Sequence, residues 1–333
     1  MIGTLRYLQT VLAGGAAHWR LTRRWRRLHR EHPLASDEAG LLVREGIGDH
    51  LIVASLAAAI ARQHGCRIRL CGNPRYAFLA DLFPAISSYQ PIAQNAEFDA
   101  VADRAIRPGR YSQAFAPSDY GLAKAIGYGG FHMIDAYRSF LGLPPATSLS
   151  RPRAPNAAER DAAKALLTAN HLPLGATVIL CVDARSIATG IPPSFWGQLA
   201  KQLSELGCTP VLNQGPTTAA IPGVKMLDIP LAQFRAVGSV AGAICAVRSG
   251  LVDLTADLPE LKVVLYPAAA EDRPPLLSGF TVTAFGTRAD MPRELAVGVP
   301  DGNFLAEIVR CFRAFGEKAG PGNPSHGRPN NDA

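Results

Sequence analysis

Short apolar runs that alternate with helical segments constrain the fold of this chain more than any other feature. In the amino-terminal half, strand-like runs at 41–43 and 66–71 are each followed by a segment of helical character, at 50–63 and 76–83. The same order recurs beyond residue 176, with apolar runs at 177–182, 210–213, 225–229, 243–247 and 261–266. Such alternation is typical of parallel sheets covered by helices. We therefore predict an α/β protein with two Rossmann-like domains, whose parallel sheets face a central cleft.

A linker that contains several prolines separates the two series. Residues 145–156 include Pro145, Pro152 and Pro155 and show no apolar periodicity, as expected for a loop between domains. At 333 residues the chain is long enough for two cores of ordinary size. We predict a basic amphipathic helix (1–32), two Rossmann-like domains (33–148 and 149–317) and a disordered tail (318–333).

The positive charge of the chain is concentrated at its amino terminus. Of the 34 lysines and arginines, seven arginines lie within residues 1–30, which contain no acidic residue, and the remaining 27 balance the 27 acidic residues. A neutral body lacks the basic surface that nucleic-acid binding requires, so no nucleic-acid partner is expected. A basic arm on a neutral body indicates an electrostatic anchor instead.

Residues 4–30 are predicted to form a helix that lies on a membrane surface. Tyr7, Trp19 and Trp25 are interspersed with the arginines, a composition suited to the interface between water and anionic lipid headgroups. No run of 18 apolar residues occurs, so we expect residues 1–31 to bind the inner face of the cytoplasmic membrane peripherally. The alternative is a solvated helix packed on the body of the protein.

The six cysteines and eight histidines lack the spacing of a disulfide framework or a metal site. Four of the cysteines lie in apolar runs, where a free thiol behaves as a small hydrophobe, and we expect a reducing compartment. An Asp-x-Asp pair flanked by strands is also missing, so a magnesium-bridged nucleotide is not indicated. Neither a metal nor another cofactor is expected.

The first candidate site is Gly46-Ile47-Gly48-Asp49, at the turn from an apolar run to a helix. Glycine lets the backbone approach a ligand, as we expect at Gly48, and the helix start directs free N–H groups toward it. Asp49 is the candidate catalytic residue, since a carboxylate at the carboxyl end of a strand can take a proton from an acceptor hydroxyl. Alternatively, Asp49 only caps the helix.

The second candidate site runs from Arg248 to Asp253, again between a strand and a helix. Ser249, Gly250 and Leu251 provide a hydroxyl and unhindered backbone N–H groups, the donors that a diphosphate needs. Arg248 adds a cation with bidentate geometry for phosphate. The alternative is a helix start without a ligand, because Ser-Gly often simply turns a chain.

The remaining candidates follow strands of the second series: Arg185 and Ser186, then Asn213, Gln214 and Gly215, and finally Ile229. We expect Arg185 to meet the same phosphates, because parallel strands end at one edge of their sheet. The other positions are expected to line a nucleotide pocket. A solvated arginine and an ordinary turn are the alternatives.

The order of these motifs resembles the ADP-heptose:lipopolysaccharide heptosyltransferase family (glycosyltransferase family 9) over residues 40–315. That family opens with a strand followed by Gly-x-Gly-Asp, and its aspartate, here Asp49, is taken as the catalytic base. Further similar positions are His132, Tyr137 and 141–144 (Leu-Gly-Leu-Pro), 192–196, 214–216, and the block 231–254, which matches the family's Asp-Ser-Gly-x-x-His-Leu region. The resemblance implies the GT-B fold, with an acceptor domain followed by a nucleotide-sugar domain.

The chain departs from this family at two positions of the last block. Arg248 stands where the family has aspartate, and Asp253 stands where it has histidine. Both family residues help to hold the sugar nucleotide, so ADP-heptose is not carried over as the donor. An arginine before Ser-Gly is also similar to the phosphate-binding arginines of GT-B fucosyltransferases.

The expected function is transfer of a sugar from a nucleoside-diphosphate sugar to a membrane-linked glycan acceptor, such as lipopolysaccharide core or another cell-surface polysaccharide. The resemblance implies inversion at the transferred carbon without a metal. Two alternatives remain open: a catalytically silent GT-B scaffold in a glycan-assembly complex, and an enzyme of the UDP-N-acetylglucosamine 2-epimerase type. The scaffold alternative rests on the two departures, because function depends on the site and not on the fold.

Overall fold

The structure is a computed structural model. The structure describes residues 2–43, 46–92, 98, 101–114, 132–184, 190–215, 218–267, 293–297 and 300–319. The chain divides into two compact units. Unit 1 comprises Met1–Ile126 and Met133–Arg153, and unit 2 comprises Gly127–His132 and Ala154–Ala333.

Unit 1 is built on a four-stranded parallel sheet. Its strands are β1 (Glu38–Leu42), β2 (Arg67–Gly72), β3 (Ile86–Pro91) and β4 (Tyr111–Gln113). They pair in the order β3-β2-β1-β4, so that β1 and β2 are central. All five residues of β1 are buried, as expected for an apolar strand covered on both faces.

The described part of unit 1 contains four helices, of which the second and third connect consecutive parallel strands. They are α1 (Ile2–Glu31), α2 (Ile47–His64), α3 (Leu79–Leu82), preceded by a 3-10 turn at Pro74–Tyr76, and α4 (Met133–Phe140). α2 ends where Gly65 adopts a left-handed conformation with φ of 59°, which glycine accepts without strain. α4 packs against α2.

One end of α1 packs on the body of unit 1, whereas residues 15–20 are exposed on every side of the helix. Leu28 is buried in a cluster with Phe98 and Tyr111, and Trp25 packs against the same two rings at centroid distances of 5.3 and 5.9 Å. Tyr111 Oη also donates to the carbonyl of His32, at 2.6 Å. The helix is therefore docked at its carboxyl end and projects at residues 15–20.

Unit 2 contains a six-stranded sheet in which every pairing is parallel. Its strands are β5 (Thr177–Cys181), β6 (Thr209–Asn213), β7 (Lys225–Leu227), β8 (Gly242–Val247), β9 (Leu261–Pro267) and β10 (Arg293–Val297). They pair in the order β10-β9-β8-β5-β6-β7. After β5 the chain adds β6 and β7 on one side of the sheet and then β8, β9 and β10 on the other, so the strand order switches between β5 and β8. α/β sheets bind ligands at such a switch point, beyond the carboxyl ends of the strands.

Helices cover both faces of this sheet. They are α5 (Ala157–Ala169), α6 (Pro193–Glu205), α7 (Phe234–Ala241), preceded by a 3-10 turn at Leu231–Gln233, α8 (Gly250–Leu254) and α9 (Gly302–Ala319). One face packs against α6 and α9 through residues such as Trp196, Ile308 and Phe312. α7 packs against β5, β8 and α5. The apolar character of the strands follows from this double coverage.

The structure differs from what the sequence suggests at two places. The glycine-rich sequence of residues 91–130 suggests loops, but within its described part Tyr111 begins β4 and is fully buried. The Gly14-Gly15 pair suggests a break in the first helix, but α1 is continuous. The strands β3, β4 and β10 were not predicted.

Candidate functional site

The Gly46–Asp49 turn lies at the carboxyl end of β1, as the sequence predicts. Gly46 is the N-cap of α2 and has an extended conformation, with φ of −73° and ψ of −175°. As a glycine, it has no side chain with which to cap the helix. Asp49 is the third helical residue, so its carboxylate lies in the first turn, where the helix dipole favours a negative charge. Gly48 is partly exposed beside it.

The Asp49 carboxylate is held by a side chain from α4. Tyr137 Oη donates a hydrogen bond to Asp49 Oδ1 at 2.7 Å. Tyr137 is fully buried and Asp49 is partly exposed, so the donor comes from the core and the acceptor lies at the surface of unit 1. From the sequence, Tyr137 was noted only as a position similar to the family, and its contact with Asp49 was not predicted.

His50, the next residue, fixes the turn from the inside. Its Nδ1 lies 2.9 Å from the carbonyl oxygen of Gly46, and its ring packs edge-on against Tyr76 at 4.7 Å. Complete burial lowers the pKa of His50 from 6.5 to about 4, although the bond to Gly46 opposes this shift. The ring is therefore neutral, with its proton on Nδ1, where it can donate to Gly46.

In unit 2 the ends of β5 and β6 are joined by a contact that sequence spacing did not reveal. Thr218 Oγ1 donates to Asp183 Oδ2 at 2.5 Å and accepts from the backbone N–H of Gly215 at 2.9 Å. Asp183 thus fixes the loop after β6 from a position 35 residues away. Gly215 was predicted as a site residue, and its link to Asp183 depends on the fold.

Arg248 and Asp253 form a buried ion pair at the end of β8. Arg248 Nη2 lies 2.8 Å from Asp253 Oδ1, and Nη1 donates to Oδ2 at 3.0 Å and to the carbonyl of Ser249 at 2.9 Å. Burial alone lowers the pKa of Arg248, but the Asp253 carboxylate reverses the effect and raises it above its usual value. The two departures from the family pattern are therefore one mutually neutralised pair.

Among the polar atoms near these strand ends, Ser249 Oγ and Asn213 Oδ1 are buried without a hydrogen-bond partner in the described part of the chain. Ser249 is the N-cap of α8, yet its hydroxyl does not cap the helix. An unsatisfied buried polar atom costs free energy and calls for a ligand or ordered water. Both residues were predicted as ligand contacts on sequence grounds.

The other predicted residues are placed as follows. Gly250 and Leu251 begin α8 and are partly exposed, while Gln214 is exposed and continues the pairing of β6 through its N–H to the carbonyl of Leu227, at 2.9 Å. The Ile229 side chain is buried. Arg185 and Ser186 lie outside the described residues.

Within the described part of the chain, no helix combines the length and the apolar character needed to cross a bilayer. Among the same residues, no group of three His, Cys, Asp or Glu side chains is placed to hold a metal ion.

Comparison of the structure with solved structures identifies its fold. A glycosyl transferase family 9 protein from Veillonella parvula DSM 2008 matches with a TM-score of 0.58 and 11% identity, over 86% of this chain and 98% of that chain. The E. coli ADP-heptose lipopolysaccharide heptosyltransferase II matches with a TM-score of 0.58 and 15% identity, over 84% and 99%. No protein-family model and no curated protein matches the sequence.

These likenesses confirm the predicted GT-B fold class, with two parallel α/β units, and they confirm at the level of the fold the resemblance to family 9. Both solved structures align over nearly their whole length. The catalytic and ligand-binding roles assigned to individual residues remain predictions.

Proposed function

We propose that this protein is a glycosyltransferase that moves a sugar from a nucleoside-diphosphate sugar to a membrane-linked glycan. The observation that carries the proposal is the Asp49 carboxylate, placed in the first turn of α2 at the carboxyl end of β1 and oriented by Tyr137. A carboxylate in this position is suited to remove the proton of an acceptor hydroxyl as that oxygen attacks the sugar. The fold shared with a heptosyltransferase supports this role.

Donor binding is assigned to unit 2, at the carboxyl ends of its strands. The unpartnered Ser249 hydroxyl and the first amides of α8 are suited to phosphate oxygens, and the Asn213 carboxamide is suited to the nucleoside. Because Arg248 is engaged by Asp253, we assign it to the support of this turn and not to direct phosphate contact. Another cationic side chain must then neutralise the charge of the departing diphosphate. Arg185 is the candidate that the sequence predicts.

The acceptor and the location are inferred from α1. Residues 15–20 are exposed, Trp19 to 61%, and the guanidinium of Arg23 lies 5.5 Å from the centroid of the Trp19 ring. Exposed tryptophan among arginines suits an anionic lipid surface. We propose peripheral attachment to the inner face of the cytoplasmic membrane, which would place the protein beside a lipid-linked glycan.

The direct test uses the full-length chain with a panel of ADP-, GDP-, UDP- and CDP-sugars and membrane glycans as acceptors. One nucleoside diphosphate is expected to raise the melting temperature, since ligand at 100 times its Kd stabilises a protein by about 2.7 kcal/mol. Asp49→Asn should keep this thermal shift and lose transfer. If no nucleotide binds and no sugar is transferred, the proposal is wrong.

One observation favours a second candidate, the catalytically silent scaffold. Arg248 and Asp253 are paired with each other. They are therefore less available to bind a pyrophosphate than two unpaired side chains would be. A scaffold would show neither the thermal shift nor transfer, while still binding other proteins of a glycan-assembly complex. The same nucleotide panel therefore separates the two candidates.

A further inference from the structure

We propose that Tyr137 is a positioning residue that orients the Asp49 carboxylate and keeps it ionised. The inference rests on the proposed function, because it deepens the role given to Asp49 there. The juxtaposition that carries it is a buried phenol hydroxyl, contributed by α4, 2.7 Å from a carboxylate oxygen on the first turn of α2.

The two residues are brought together by packing that leaves Tyr137 little freedom. Tyr137 is fully buried, and α4 packs against α2, the helix that carries Asp49. Further along α4, Arg138 donates to the carbonyl of Thr147 through Nε at 2.9 Å and to Asp135 through Nη1 at 2.8 Å. α4 is thus anchored beside α2, and the buried phenol of Tyr137 directs its hydroxyl to Asp49.

A phenol that donates to a carboxylate stabilises the ionised form, because a protonated carboxyl accepts such a bond less strongly. It also fixes the torsion of the short aspartate side chain, so that the carboxylate does not rotate among rotamers. A base that removes a proton from an acceptor requires both properties. His50 does not compete for this role, since its ring is turned toward Gly72, Tyr76 and Tyr89.

The test compares Tyr137→Phe with wild type in two measurements. In the first, the Asp49 carboxyl carbon is followed by 13C NMR as a function of pH and assigned with Asp49→Asn. Loss of the donor should move the midpoint of this titration to higher pH. In the second, kcat should fall by about tenfold to a hundredfold, less than in Asp49→Asn, with the donor KM nearly unchanged. The acidic limb of the kcat profile should move in the same direction as the NMR midpoint.

Tyr89→Phe is the matched control. Tyr89 Oη also makes a 2.7 Å hydrogen bond within unit 1, but to the carbonyl of Asn73. This variant removes a phenol hydroxyl without touching Asp49, so midpoint and kcat should stay at wild-type values. Equal midpoints in Tyr137→Phe, Tyr89→Phe and wild type would overturn the inference. If wild type transfers no sugar at all, the transferase proposal fails, and the NMR titration still decides the role of Tyr137.

Discussion

Arg248 and Asp253 neutralise each other in the turn that leads from β8 into α8, with Nη2 of the arginine 2.8 Å from Oδ1 of the aspartate. Their side chains are only 9% and 3% exposed. Nη1 of the same guanidinium also donates to the carbonyl of Ser249, so the pair holds the segment that presents the Ser249 hydroxyl. The ion pair therefore stabilises the conformation of this turn.

Removing either partner should strongly destabilise unit 2. Arg248→Ala or Asp253→Ala leaves one buried charge without its counterion, and such a change costs about 3–5 kcal/mol. Native-state hydrogen exchange of the β8 amides measures the loss. The exchanged pair R248D/D253R restores opposite charges and should recover part of it.

The control is Arg67→Ala, because the Arg67–Asp37 pair has comparable geometry but side chains that are 54% and 59% exposed. This variant should leave the exchange rates of its own strand, β2, nearly unchanged, since exposed ion pairs contribute little. Equal effects of Arg248→Ala and Arg67→Ala would mean that the buried pair is not a structural element.

The stability of unit 1 should depend on pH through His50. Its pKa is about 4 in the folded protein and 6.5 in an unfolded chain, so between these values the unfolded state binds more protons. The free energy of unfolding should therefore fall by about 3 kcal/mol as the pH drops from 7 to 4. Urea denaturation at several pH values measures this change.

His50→Asn serves as the reference for that experiment, because asparagine keeps a donor for the Gly46 carbonyl without titrating. Subtracting its pH dependence from that of wild type isolates the contribution of His50 from those of the carboxylates. A difference that stays constant from pH 7 to pH 4 would show that the imidazole is not buried in its neutral form.

Gly40→Ala should destabilise the β1–β4 edge. A Cβ at position 40 would lie 2.3 Å from Cδ1 of the buried Tyr111 ring, so the ring or the strand must move. Overpacking of this kind costs about 1–3 kcal/mol. Thermal denaturation should separate this variant from Gly15→Ala, where nothing lies within 4 Å of the added methyl group. Identical melting temperatures would contradict the packing of Tyr111 on Gly40.

Binding to anionic vesicles should depend on the arginines of the projecting helix. Each basic residue near an anionic surface contributes about 1 kcal/mol, so Arg20→Ala with Arg23→Ala should weaken binding by about 30-fold. Co-sedimentation with vesicles containing phosphatidylserine measures the change, and added salt should reduce binding in wild type. Arg67→Ala, on the exposed body of unit 1, should bind as wild type. Equal binding to uncharged phosphatidylcholine vesicles would rule out an electrostatic anchor.

The alternation of apolar runs predicted the fold because both sheets are parallel and covered on two faces. The strands that were missed lack this signal. β3 contains Ser87 and Ser88, β4 has only three residues, and β10 begins with Arg293 and Glu294. Their positions are set by pairing with neighbouring strands, which a single sequence does not display.

The candidate site also has features that the local sequence predicts and features that depend on the fold. The turn at Gly46–Asp49 was predictable because glycine and an acidic residue at a strand end have local causes. Its partner Tyr137 lies 88 residues further along the chain, and only the fold brings the two together. Arg248 and Asp253 were both singled out, yet their pairing was not, because a spacing of five residues is not a helical contact.

The docked and projecting parts of α1 belong to one uninterrupted helix. A flexible tether would let the protein swivel freely beneath a bilayer, but a continuous helix fixed by Trp25 and Leu28 transmits its tilt to the sheet of unit 1. Attachment at residues 15–20 would thus also set the orientation of unit 1, which carries Asp49, relative to the membrane. Inserting a short glycine segment between Leu21 and Trp25 would uncouple attachment from orientation.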